Sequence, residues 1–192
     1  MILNLFESID YLTLALNNHF AKSPFVYKGG DDAKEYTAAK PTVYRFCVPP
    51  EDRNDDGYPL HAPAIALVLT EASPDGGMMT ARFEAHICVI NPSTSDAESV
   101  TGNNQDGFTF KETREYNREG QDNTYRDLYE YALRLAEETL ETLERTLIVS
   151  DLTLTPPDPA LDGFPYATAI VSGVIKYRKT FHAVSNEIAQ LL

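Results

Sequence analysis

Residues 125–181 confine the chain more than any other stretch, because a long one-sided helix is followed by two strands able to carry it. From Tyr125 to Leu147 neither Gly nor Pro interrupts, and Tyr125, Tyr129, Ala132, Ala136, Leu140, Leu143 and Leu147 recur at mostly three- and four-residue steps. That spacing puts them along one side of a 3.6-residue helix, with Asp127, Glu130, Arg134, Glu137, Glu138, Glu141 and Glu144 on the other. Asp122 or Asn123 is placed to serve as N-cap. A short strand over 147–154 comes next, then the turn-rich Pro156-Pro157-Asp158-Pro159-Ala160-Leu161-Asp162-Gly163, then a long strand over 166–181. In that strand Ala169, Val171, Gly173, Ile175 and Tyr177 alternate with Ile170, Ser172, Val174, Lys176 and Arg178. The acidic row on the helix reads as a solvated face.

The first half supplies the rest of a sheet. Ile2, Leu5, Ile9, Leu12 and Leu16 repeat as one face of an N-terminal helix. Residues 22–40, broken by Ser23-Pro24, Gly29-Gly30 and Asp31-Asp32, read as a connection. A strand over 42–48 stops at Pro49-Pro50, and 51–59 is a polar turn. Ala64–Thr70 is almost wholly apolar, as in a strand buried on both faces. Ser73-Pro74-Asp75-Gly76-Gly77 reads as a hairpin turn. Met78–Ile90 then alternates, with Met79, Ala81, Phe83, Ala85, Ile87 and Val89 on one face and Thr80, Arg82, Glu84, His86 and Cys88 on the other. The polar segment 92–123 is long for an internal connection and reads as a loop or insertion. Its centre, 107–112, alternates like a short ribbon. A last short helix is expected over 183–192.

Chemistry is hard to place in this sequence. A net charge of −13 opposes binding to nucleic acid or to an anionic membrane, since phosphates call for clustered Lys and Arg. No apolar run approaches bilayer length, and the N-terminus lacks a basic signal-peptide region, which points to the cytoplasm of the producing cell. Cys47 and Cys88 read as two buried free thiols. Asp52-Arg53-Asn54-Asp55-Asp56-Gly57 begins like a calcium loop, yet Pro63 stands where the bidentate Glu belongs, so it reads as a turn. His19, His61, His86 and His182 are scattered without helical ligand spacing. No nucleophile elbow, phosphate loop or dinucleotide fingerprint occurs, and no carboxylate pair stands out from the 29 acidic residues. The expectation is a protein with no catalytic residues, no cofactor and no metal.

Several phrases, in order, resemble the tail-terminator (tail-completion, head–tail joining) proteins of siphophages and prophages. They are Pro63-Ala64-Ile65-Ala66-Leu67-Val68, Asp75-Gly76-Gly77, Ala85-His86-Ile87-Cys88-Val89-Ile90-Asn91-Pro92, Tyr125-Arg126-Asp127-Leu128 and Phe164-Pro165-Tyr166. The resemblance spans residues 41–181. The segment 92–123 is longer than the family's usual link, and the chain has no Trp where the family carries an aromatic-rich phrase before its last strand.

What the resemblance implies is a single α+β domain over 1–192, with a mixed or antiparallel sheet packed on one side by helices. It implies a structural protein that forms a ring, commonly hexameric, caps the tail tube and meets the head connector. Its partners would then be itself, the tail-tube protein and the head-connector protein. It would act in the host cytoplasm during assembly and in the tail or neck of the virion. Candidate interface residues are Phe108, Phe110, Tyr116 and Arg118 in the long loop. The alternative is a small α+β domain that binds a ligand or another protein. An enzyme would need a cleft of convergent, pKa-perturbed carboxylates.

Overall fold

The computed structural model of the chain describes residues 3–29, 35–55, 57–90, 98–103, 109–114, 118–158 and 166–178. The first helix, α1 (Leu5–Lys22), starts at a capping box. The Asn4 side chain accepts from the Glu7 N–H at 2.9 Å, and the Glu7 carboxylate accepts from the Asn4 N–H at 2.8 Å. Ile9, Leu12, Leu16 and Phe20 are wholly buried along its inner face. The segment expected to be a plain connection instead holds a hairpin, β1 (Phe25–Gly29) and β2 (Glu35–Ala39), paired antiparallel. Phe25 of β1 is buried in the core.

Five strands form the main sheet: β3 (Thr42–Arg45), β4 (Ala64–Asp75), β5 (Met78–Ile90), β8 (Val149–Thr155) and β9 (Tyr166–Tyr177), in the order β3-β4-β5-β9-β8. The β3–β4 pair is parallel and the other pairs are antiparallel, so the sheet is mixed. The strand expected to reach Val48 ends at Arg45, because Phe46 takes φ +67° and turns the chain away. The β4–β5 hairpin closes on Gly76 and Gly77, both at positive φ, which fits the twist of the flanking strands. β4 is fully buried only from Ala64 to Leu67 and runs out to Asp75 as an exposed arm.

Within the expected loop, β6 (Glu98–Asn103) pairs antiparallel with β7 (Thr109–Arg114). The second helix, α2 (Arg118–Glu144), starts earlier than its apolar spacing indicates. It also stops sooner: the chain leaves the helix after Glu144, and Leu147 takes φ +60° and stands 91% exposed instead of closing the stripe. The buried row is rotated from the expected one. Leu128, Ala132, Leu135, Ala136, Thr139 and Leu143 face the sheet, while Tyr129 and Leu140 are half-buried at its margin. Arg134, placed by its spacing on the solvated side, lies over the Phe25 ring at 5.6 Å. The expected helix over 183–192 falls outside the described residues.

Both helices pack on one face of the sheet, so the chain is an α+β protein with its core between them. Ile65, Leu67, Phe83, Ile87, Val171 and Ile175 point into that core. Each fully buried side chain of this size contributes roughly 1.5–3 kcal/mol relative to exposure. Gly173 lets the layer close: a Cβ there would lie 2.8 Å from the Phe83 ring and 2.9 Å from Val149. Among the described residues no helix is long and apolar enough to cross a membrane.

Candidate interaction surface

The face of the sheet away from the helices follows from the period-two alternation. Arg82, Glu84 and His86 of β5 and Thr168, Ser172 and Val174 of β9 stand there, half-buried or exposed. Part of this face is roofed by residues 47–59, which Phe46 sends back across it. One contact within the roof and two to Tyr166 hold it. Arg53 Nε donates to the Val48 carbonyl at 2.8 Å, and Asn54 Nδ2 donates to the Tyr166 hydroxyl at 2.8 Å. The Tyr58 ring stacks on Tyr166 with centroids 4.2 Å apart and planes 2° from parallel. Asn54 also accepts from the Tyr58 N–H at 2.8 Å, and Gly57, at φ +87°, donates to the Asn54 carbonyl.

Between roof and sheet lies a cavity of about 250 Å³, with Val48, Arg53, Tyr58, Ala66, His86 and Thr168 in its walls. Cys47 and Cys88 also line it. The sequence reading of two buried thiols holds for Cys88 alone; Cys47 is exposed, because β3 ends before it and the chain has already turned outward. His86 Nε2 lies 2.8 Å from a Glu84 carboxylate oxygen. A second groove of about 600 Å³ lies toward β8, between Glu71, Arg82, Glu84, Asp151 and Thr153. Beneath the roof Tyr44 is buried beside Val48, Ala64 and Ala66, and its hydroxyl closes no hydrogen bond of good geometry. Burial first, and then the negative charge of Asp52, pushes the Tyr44 pKa above its usual value.

The sheet ends in two edges. On one side, β3 lies beside α1, where the exposed Phe6 and Leu14 flank an Asp10–Arg45 ion pair of 2.9 Å. On the other, β8 is kinked between Ser150 and Thr153 with Asp151 at φ +53°, and a charged, bulged edge of this kind resists strand-by-strand extension. Leu147 projects from the connection that enters β8.

Searches of protein-family models and of curated proteins find no match to this chain.

The four residues expected at an interface are not brought together by anything described. Phe108 and Tyr116 lie outside the described residues. Phe110 stands in β7 opposite Gly102 and Arg118 opens α2, but their side chains are outside what is described. Among the described residues no group of three His, Cys, Asp or Glu is arranged to hold a metal ion. Sequence reasoning missed the roof and its cavity. The one available signal was the turn phrase around Asn54, whose partner Tyr166 stands 112 residues away.

Proposed function

We propose that this chain is a structural subunit of a phage or prophage tail, which closes into a ring on the end of the tail tube and joins it to the head connector. The observation that supports the reading best is where the family-like phrases fall. Pro63–Val68 leads into and opens β4, Asp75-Gly76-Gly77 closes the β4–β5 hairpin, Ala85–Ile90 ends β5, Tyr125–Leu128 lies within α2, and Tyr166 opens β9. Four of them fall at strand ends or turns of one sheet and the fifth in the helix that packs on it, as they would in a protein whose work is shape. Among the described residues, the helices cover one face of the sheet and residues of the 47–59 segment only part of the other, which leaves described sheet surface for neighbouring subunits. The protein would assemble in the host cytoplasm and remain in the tail or neck.

The experiment is deletion of the gene from the phage or prophage that encodes it, followed by electron microscopy of the particles. The expected result is heads without joined tails, together with tubes of uncontrolled length, both restored by complementation. Joined tails of normal length in the deletion strain would overturn the proposal. A second reading, a small ligand-binding domain, draws on the cavity of about 250 Å³. That volume lies below the usual range for ligand sites, roughly 300 to 1,000 Å³.

A further inference from the structure

The outer side of α1 carries an apolar stripe. Phe6, Asp10 and Leu14 recur at four-residue steps and so share one side of the helix, beside the end of β3. Phe6 and Leu14 are 58% and 56% exposed, while Ile9, Leu12 and Leu16 already serve the core. Asp10, the charge between them, is held by Arg45 at 2.9 Å, which leaves little net charge along the stripe. Phe6 is kept in place by the Phe46 ring, which meets it edge-on with centroids 5.8 Å apart.

The chain itself supplies an occupant of matching reach. β9 ends at Tyr177, and the next residue, Arg178, donates its N–H to the Leu3 carbonyl at 3.0 Å and bridges Asn4 in parallel. Residues 179–192, which lie outside the described residues, therefore continue from the start of α1, beside the residues that lead into Phe6. Val184, Ile188 and Leu191 are spaced by four and three residues, as on one face of a helix. In a chain of charge −13, Glu187 is the sole charged side chain from 183 to 192.

The lengths agree. From Phe6 to Leu14 a helix rises about 12 Å, and from Val184 to Leu191 about 11 Å. Residues 179–183, extended, reach roughly 17 Å, which exceeds the roughly 8–10 Å between the axes of packed helices. Starting where it does, the segment would run the same way as α1, with Val184 by Phe6 and Leu191 by Leu14.

We infer that residues 183–192 lie as a helix along the Phe6–Leu14 stripe of their own chain, parallel to α1. The inference is independent of the ring reading. Cys47 is exposed and Cys88 buried, so the test starts from Cys47→Ser. With L14C and L191C added, at a concentration where light scattering reads 21.4 kDa, mild oxidation should give a disulfide within one chain, mapped by peptide mass spectrometry. The control pair E51C and L191C, with residue 51 in the segment over the other face of the sheet, should not. A helix this short does not persist alone, so its protection from hydrogen exchange reports docking. Amides over 184–192 should exchange at least about tenfold more slowly than in an unfolded chain, and Leu14→Asp should remove that protection while β5 keeps its own. A disulfide formed only between two chains would give the stripe to a second copy and overturn the inference. So would no disulfide, an equal yield from the control pair, unprotected amides over 184–192, or protection that Leu14→Asp leaves in place.

Discussion

Tyr44 carries a buried hydroxyl with no well-formed partner, next to the carboxylate of Asp52. Its folded pKa lies above the unfolded value of about 10. Below that value the ring is neutral in both states and adds no pH dependence. As pH climbs past it, the unfolded chain ionises first, so stability falls until the folded pKa is passed. Thermal unfolding of wild type and Tyr44→Phe between about pH 8 and pH 11 should show the steeper alkaline loss only in wild type. At neutral pH the substitution should change stability by no more than about 1 kcal/mol, since the lost hydroxyl made no good bond. Gly173 is the opposite case, a position where one added carbon meets the fully buried Phe83 ring at 2.8 Å. Gly173→Ala should destabilise by roughly 1–3 kcal/mol in denaturant unfolding, and Phe83→Leu in the same chain should recover part of that loss. A neutral Gly173→Ala would show that β8 and β9 separate more easily than their packing indicates.

At the scale of elements, the capping box of α1 makes two reciprocal bonds that the sheet does not replace. Asn4→Ala should therefore cost about 1 kcal/mol, and Asn4→Gly only a few tenths, by chemical denaturation. The elements whose pattern is dense were legible from sequence. The alternation of Met78–Ile90 and the three- and four-residue steps of α1 correspond to β5 and to the buried face of that helix. Those set by distant contacts were not. The β1–β2 hairpin hid behind its Gly and Asp residues, and the row along α2 was read slightly rotated because Tyr129 and Leu140 are apolar yet marginal. Leu147 continued the helical spacing perfectly well; what ended the helix was backbone geometry after Glu144, which periodicity does not record. The cavity roof was illegible for the same reason, since Asn54 and Tyr58 have meaning only beside Tyr166.

At the scale of the molecule, two helices cover one face of a mixed sheet, and the segment after β3 covers part of the other. The turn at Phe46 that ends β3 carries the following residues over the other face and so builds a cavity there. Two chains of charge −13 would repel at long range, which ionic strength near 0.15 M screens beyond about 8 Å. Under those conditions the most direct measurement is the absolute mass in solution, by light scattering coupled to size exclusion over a wide range of concentration. The account predicts that rising concentration converts a species of 21.4 kDa into one closed assembly of fixed, higher mass. A mass that stays at the monomer or dimer across the whole range, and stays there when tail tubes are added, would contradict it.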